Sequence, residues 1–292
     1  MKVIRFFLLS MAAVLLAACE KPLLTEQTES GKTSDGNLRV SISQLEQTPF
    51  SALTRAAVSD VCTKLNFAIY DMTGARLKQI NQKVGDADFG TATFQLTEGD
   101  YQLVVLAHSS NSNPTMTNVR KIQFTNALGY TDTFLYYTTL TIDSEQQDLS
   151  VSLDRIVALC RFVISDAIPE NVSKLQFQYT GGSGHFDATT GLGVTNSTQK
   201  VTLDVQPGQE DTQCNLYTFL HDTTGTIHLK VTAYDANENI QHEREFDVPM
   251  TQNKITWLTG NFFNGVSPSM SQTVVASVII NSLWDGEEHV TY

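Results

Sequence analysis

Ser183 stands in Gly181-Gly182-Ser183-Gly184-His185, a serine between glycines with a histidine two residues on, and those types suit a nucleophile raised on a strained turn. Such an elbow needs a final glycine where His185 stands, with a strand before it and a helix after, so the stretch reads as a flexible hairpin loop. Asp235-Ala236-Asn237-Glu238-Asn239 supplies the first three ligand types of a calcium loop, because oxygen donors at alternate positions can surround a hard cation. Ile240 then takes the place of the required glycine and Phe246 that of the bidentate glutamate, which makes a turn the better reading. His108, His185, His221, His228, His242 and His289 show neither the close pairing nor the accompanying cysteine pairs of a zinc site. Trp257 and Trp284 could offer a stacking face to a sugar ring, although a strand tryptophan more commonly belongs to a core. No catalytic residue, metal ligand or cofactor motif emerges, and a protein that is not an enzyme is expected.

Cys19 carries more specific chemistry. Lys2 and Arg5 open the chain, and Phe6 to Ala18 is an apolar run of about 13 residues, short of the roughly 20 that span a bilayer core. Residues 1–18 therefore read as a signal peptide. Ala17 and Ala18 would suit ordinary signal cleavage, but Leu16-Ala17-Ala18-Cys19 resembles the lipobox of bacterial lipoproteins, in which the thiol receives a diacylglyceryl group and becomes the new first residue. Acyl chains such as palmitate on Cys19 would be the only attached group. One chain holds a protein marginally, whereas two or three hold it firmly.

Glu20 to Asn37 is polar, poor in aromatics and broken by Pro22, Gly31 and Gly36, so residues 19–37 read as the lipidated cysteine and a tether. Its roughly 18 flexible residues would reach about 23 Å. The chain of 292 residues has 19 basic and 31 acidic side chains, a net charge of -12, and removal of Lys2 and Arg5 would take it to -14. Such a surface is repelled by nucleic acid and by anionic headgroups, so lipid rather than charge would hold it at a membrane. Beyond Cys19 remain Cys62, Cys160 and Cys214, an odd number that admits at most one internal disulfide and equally admits three buried thiols.

From Leu38 the apolar residues alternate. Leu38, Val40 and Ile42 face one way, as do Leu65, Phe67 and Ile69, which run into the turn Asp71-Met72-Thr73-Gly74. Ala92, Phe94 and Leu96 lead through Glu98-Gly99-Asp100 into Tyr101, Leu103 and Val105, which reads as a second hairpin. No helical stripe is sustained, and the turn spacing describes antiparallel sandwiches. A second strand series opens at Ile156, and Phe67-Ala68-Ile69-Tyr70-Asp71 is echoed by Val231-Thr232-Ala233-Tyr234-Asp235. The expected organisation is two β-sandwich domains, 38–155 and 156–292.

Six stretches, Cys62–Asp71, Glu98–Ser109, Asp132–Ile142, Ser152–Val172, Tyr179–Gly191 and Asn253–Phe263, together resemble the fimbrial anchor branch of the fimbrillin superfamily of Bacteroides-type bacteria. The resemblance implies an all-β chain of two tandem transthyretin-like sandwiches. It further implies a lipid-held minor subunit of a type V pilus at the outer membrane, partnered by pilin subunits that join through strand addition.

Two segments could take part. Arg55, in Leu53-Thr54-Arg55-Ala56-Ala57, lies where major pilins of the superfamily are cut by a trypsin-like protease, yet a cut here would part the body from its lipid, and an intact tether suits an anchor. Thr273, Val274, Val275, Val278, Ile279 and Ile280 belong to a β-branched strand, Thr273 to Asn281, that could be donated to a neighbour or could pair within its own domain; the second reading is preferred. A surface glycan-binding lipoprotein is the alternative function, and it would need an exposed aromatic such as Trp257.

Overall fold

The computed structural model of the chain describes residues 36–46, 58–125, 129–264, 277–279 and 287–292. The first half runs β1 (Leu38–Glu46), a single helical turn α1 (Val58–Val61), β2 (Lys64–Tyr70), β3 (Arg76–Lys83), β4 (Thr91–Phe94), β5 (Gly99–His108), β6 (Thr115–Asn118), β7 (Lys121–Gln123), β8 (Thr133–Ile142) and β9 (Gln147–Arg155). The second runs β10 (Ala158–Ile164), β11 (Lys174–Gly182), β12 (His185–Asp187), β13 (Leu192–Gly193), β14 (Ser197–Asp204), β15 (Thr212–Thr218), β16 (Thr224–Tyr234), β17 (Ile240–Thr251), β18 (Ile255–Gly260), β19 (Ser277–Ile279) and β20 (Glu287–Thr291).

The chain is all-β, as its period-two patterning requires. In the first half the strands lie in the order β3-β2-β5-β8-β9-β1-β4. β8 and β9 pair only through Phe134 with Arg155 and Leu135 with Asp154, so the sheet folds over at that corner. β3-β2-β5-β8 then faces β4-β1-β9 across a core that includes Leu38, Val40, Phe67, Phe94, Leu103, Val105, Phe134 and Val151. In the second half β14-β11-β16-β17 faces β15-β10-β18-β20-β19 across Phe162, Phe177, Tyr179, Leu216, Val231, Val248 and Phe262. Most pairings are antiparallel; β1 with β9, β10 with β18, and β18 with β20 are parallel.

The two halves repeat one topology. The first strand of each lies between an antiparallel neighbour (β4, β15) and the parallel closing strand (β9, β18). The opposing sheets match in chain order as well: β2, β3, β5 and β8 occupy the places of β11, β14, β16 and β17. The sequence echo does not carry this repeat, because it aligns β2 with β16, whose topological counterpart is β5. What it marks is a shared turn. Asp71 Oδ1 accepts the amides of Thr73 and Ala75, and Asp235 Oδ1 those of Asn237 and Asn239. Gly74 and Glu238 adopt positive φ at equivalent places, 89° and 65°.

The expected hairpin from Ala92 to Val105 is not formed. β4 pairs with β1 and β5 with β2 and β8, so Glu98-Gly99 carries the chain from one sheet to the other. The chain ends in a further strand that the alternation of apolar residues does not announce: β20 lies between β18 and β19.

A small sheet, β13-β12-β7-β6, joins the halves through the pairs His185 with Gln123 and Phe186 with Ile122. Beneath it a third core includes Val104 and Leu106 from β5, Met116, Phe124, Phe186, Phe219 and Ile255. This explains why β5 reads as a continuous apolar run: its odd residues face the first sandwich and its even residues face the seam. Phe186 stacks on Phe219 at 4.8 Å and on Phe124 at 6.3 Å. Burying each such ring contributes roughly 1.5–3 kcal/mol, enough to couple the halves.

Candidate functional site at the seam and the sheet edges

The residues with catalytic types turn out to be joints of the fold. Ser183 is fully buried, and its Oγ donates to the carbonyl of His185 at 2.6 Å while accepting the amides of His185 and Thr195. The surrounding glycines serve close packing, since a Cβ on Gly182 would lie 1.9 Å from Thr218 Oγ1 and one on Gly184 2.1 Å from Tyr130 Oη. Gly181-His185 is therefore an ordered strand junction rather than a flexible loop. His185 Nδ1 contacts Thr195 Oγ1 at 2.7 Å, and partial burial, helped by Lys121, lowers its pKa. Asp235 closes its own turn, with Oδ2 accepting from Asn239 and Gln241, and these hydrogen bonds, that of the Asn239 side chain first, hold its carboxyl below the usual range. Among the described residues no group of three or more His, Cys, Asp or Glu side chains could hold a metal ion.

Cys62, Cys160 and Cys214 are buried free thiols. Burial raises all three pKa values, that of Cys214 to about 12. Cys62 lies in the link between α1 and β2 rather than in a strand.

Trp257 projects from the outer face of β18, half-buried, between side chains of both neighbouring strands. The Arg161 guanidinium from β10 sits 4.7 Å from the ring centroid, and the His289 ring from β20 stacks at 5.5 Å with only 7° between planes. Arg161 is itself held by Asn215 at 2.9 Å. Both faces of the indole are thus occupied by the protein, which leaves no bare face for a sugar. Trp284 lies outside the described residues.

The joint between the halves is an ion pair. Arg155 at the end of β9 meets Asp132 with two parallel contacts, 2.7 and 2.9 Å, reaches Asn253 Oδ1 at 3.2 Å and lies over the Phe134 ring at 4.7 Å. Asn253, at φ 59° in the turn between β17 and β18, donates its amide to the carbonyl of Val157. Both halves are thereby clamped at the point where the chain crosses over.

Of the residues expected to make contacts, Cys19, Arg55, Thr273, Val274, Val275 and Ile280 lie outside the described residues. Val278 and Ile279 belong to β19, an edge strand whose backbone pairs with β20 through Val278 with Glu288 and Ile279 with Glu287. β20 itself was not anticipated. Val290 is buried in the second core, and Tyr292 just beyond stacks on Phe162 at 5.1 Å, meets Phe246 edge-on at 4.8 Å and donates its hydroxyl to the carbonyl of Val163. Among the described residues no helix is long and apolar enough to cross a membrane.

A seven-stranded and a nine-stranded sandwich that share one core topology, locked at an apolar seam, define the architecture. A candidate adhesin from Bacteroides ovatus has a similar structure, with a TM-score of 0.50 and 16% identity over 72% of this chain and 82% of that one. A candidate polysaccharide-binding protein from Bacteroides thetaiotaomicron gives 0.47 at 12% identity, covering 71% and 79%. The fimbrial anchor protein Mfa2 from Porphyromonas gingivalis gives 0.42 at 11%, covering 71% and 80%. At these identities the likeness is one of fold alone. The chain belongs to the family described as "Family of unknown function (DUF6562)", whose model matches residues 30–291. No curated protein matches it.

Proposed function

We propose that this chain is a lipid-anchored, non-enzymatic subunit of a fimbrium, held at the outer membrane through acyl chains on Cys19 and joined to neighbouring pilins by strand addition. Its halves, 38–155 and 156–292, act as two domains of one rigid mount. The observation that carries this reading is the union of a lipobox-like Leu16-Ala17-Ala18-Cys19 with a tandem sandwich of the kind found in the Bacteroides ovatus candidate adhesin.

Arg55 stays uncut in this reading, because β1 is the link between tether and body. The edge strand β19 remains the donor candidate, and Val278→Pro, which deletes one edge amide, tests it without removing the core residues Val290 and Tyr292. The decisive experiment is co-purification of chemically crosslinked pili with outer membranes, with and without Cys19→Ala. The expected result is that pili remain with the membrane only when Cys19 is present and acylated. Pili retained equally by the Cys19→Ala chain, or no pilin crosslinked to either form, would overturn the proposal.

A further inference from the structure

The repeated topology exposes a difference between the halves. In the second, the free flank of the closing strand β18 is covered by β20, which runs parallel to it from Ile255 with Glu287 to Thr259 with Thr291. Val290 and Tyr292 fill the space beneath β17. In the first half the closing strand is β9. Its flank toward β8 carries only the two pairs at Asp154 and Arg155, and among the described residues no strand occupies the place that β20 takes beside β18. Among the described residues, backbone groups of 147–153 on that flank and of 136–142 on the opposing edge of β8 pair with no strand, although the Gln147 side chain donates to the carbonyl of Thr141 at 2.9 Å.

The side chains at this gap are those of an opened core. Tyr136, Leu140 and Leu149 pack on the first core yet remain partly exposed, while Ser152, on the other face of β9 from Leu149 and Val151, has a buried Oγ without a hydrogen-bond partner. A cleft of about 440 Å³ marks the closed end, where β8 and β9 meet, and Tyr136, Ser152 and Asp154 help to line it. β8 also lacks the usual guards of an exposed edge. Thr133–Ile142 contains no charge, proline or glycine, whereas the edge strand β3 carries Arg76, Lys78 and Lys83. The rim is acidic: Asp100, Asp143, Glu145, Asp148 and Asp154 surround it, with Arg39 on β1 opposite Asp148, and no lysine or arginine occurs between Lys121 and Arg155.

We propose that the flank of β9 is an acceptor for an extended segment of a partner protein, added parallel to β9 in the geometry by which β20 covers β18, with alternate apolar residues inward and basic residues at its ends. A second copy of this chain, net charge -12, is disfavoured by the same acidic rim. Main-chain bonds would provide affinity, the Tyr136, Leu140 and Leu149 surfaces register, and the rim selection of cationic partners. The biological setting rests on the strand-addition reading above; the slot itself rests on the repeated topology.

The test uses the full chain and three synthetic nonapeptides of alternating valine and threonine, carrying lysine at both ends, glutamate at both ends, or lysine ends with alternate amides N-methylated along one edge. Titration by fluorescence anisotropy is expected to show binding of the lysine peptide, at least tenfold weaker binding of the glutamate peptide, and loss of binding on N-methylation. Leu149→Lys and Leu140→Lys should abolish binding, while the same exchange at the exposed Leu77 on the edge strand β3 should not change it. Amide hydrogen exchange supplies a readout free of folding effects: within 147–153 the amides that face the open flank, alternating with those bonded to β1, should exchange quickly in the free chain and slow on peptide addition. No binding of the lysine peptide, equal binding of all three, or 147–153 already as protected as β18 would overturn the proposal. Self-association that blocks the peptide would identify a second copy as the occupant and also overturn it. Peptide binding without pilus retention would sink only the fimbrial setting, and the converse only the β9 slot.

Discussion

Lowering the pH should destabilise this protein through one histidine. His108, fully buried at the end of β5, lies 2.8 Å through Nε2 from Asn66 Oδ1, and its Nδ1 accepts the amide of Ser110 at 3.1 Å. Since Asn66 Nδ2 donates to Asn81 and Asn113, its Oδ1 is left to accept, which fixes the neutral tautomer with the proton on Nε2. A second proton on Nδ1 would face the Ser110 N–H, with Phe124 edge-on at 5.0 Å closing the site to water. Burial, and secondarily the Lys64 charge, lowers the pKa from 6.5 to about 4. Because the folded value lies below the unfolded one, the unfolded chain binds more protons between these limits, so stability is complete above pH 6.5 and falls as the pH drops. Linkage puts the loss at about 2 kcal/mol by pH 5 and about 3 kcal/mol by pH 4. Urea unfolding of the wild type and of His108→Gln, run from pH 7 to pH 4, isolates this contribution because every carboxylate titrates alike in both. The two stability curves should converge by about 3 kcal/mol as the pH falls. Curves that stay parallel would refute the assignment.

Arg155→Met leaves Asp132 unpaired at the joint and should cost about 3–5 kcal/mol, measured by chemical denaturation, with a smaller loss when Asp132→Asn is combined with it. Tyr292→Ala removes the aromatic plug beyond β20 and should cost about 3 kcal/mol, with faster hydrogen exchange confined first to β20 and its β18 partners. Cys62, Cys160 and Cys214 should resist maleimide at pH 8 in the folded chain and react within minutes in guanidinium, because burial keeps them as thiols; rapid labelling of the native protein would contradict their placement.

The alternation of Leu175, Phe177 and Tyr179, or of Leu65, Phe67 and Ile69, is set by the requirement that one face meet a core, and such strands are legible without a structure. β20 is not, because Glu287-Glu288-His289-Val290-Thr291 holds one aliphatic residue and owes its conformation to the open flank of β18 and the pocket that receives Tyr292. Glu98-Gly99-Asp100 has turn chemistry that suits a hairpin and a sheet-to-sheet crossing equally. The choice falls to β1, which claims β4 as its partner from about 50 residues away. Ser183 misleads for a related reason: glycines demanded by Thr218 on β15 and by Tyr130 ahead of β8 imitate the glycines of a catalytic turn. The repeat of topology leaves no trace in aligned residues, since a pleated, half-buried strand constrains polarity far more than identity. The β9 flank is invisible in sequence for the same reason, being defined by a place that no strand among the described residues takes.

The position of β1 has a mechanical consequence. It follows directly on residue 37, and it is paired with β9 from Leu38 to Glu46 on one side and with β4 from Leu38 to Ser41 on the other. Tension drawn through the segment ahead of Leu38 would run along the strand axis, at right angles to these bonds, and would load them together in shear instead of peeling them one at a time. A chain fastened at that end would resist extraction by the combined strength of both ladders, so β1 would set the force at which the fold gives way.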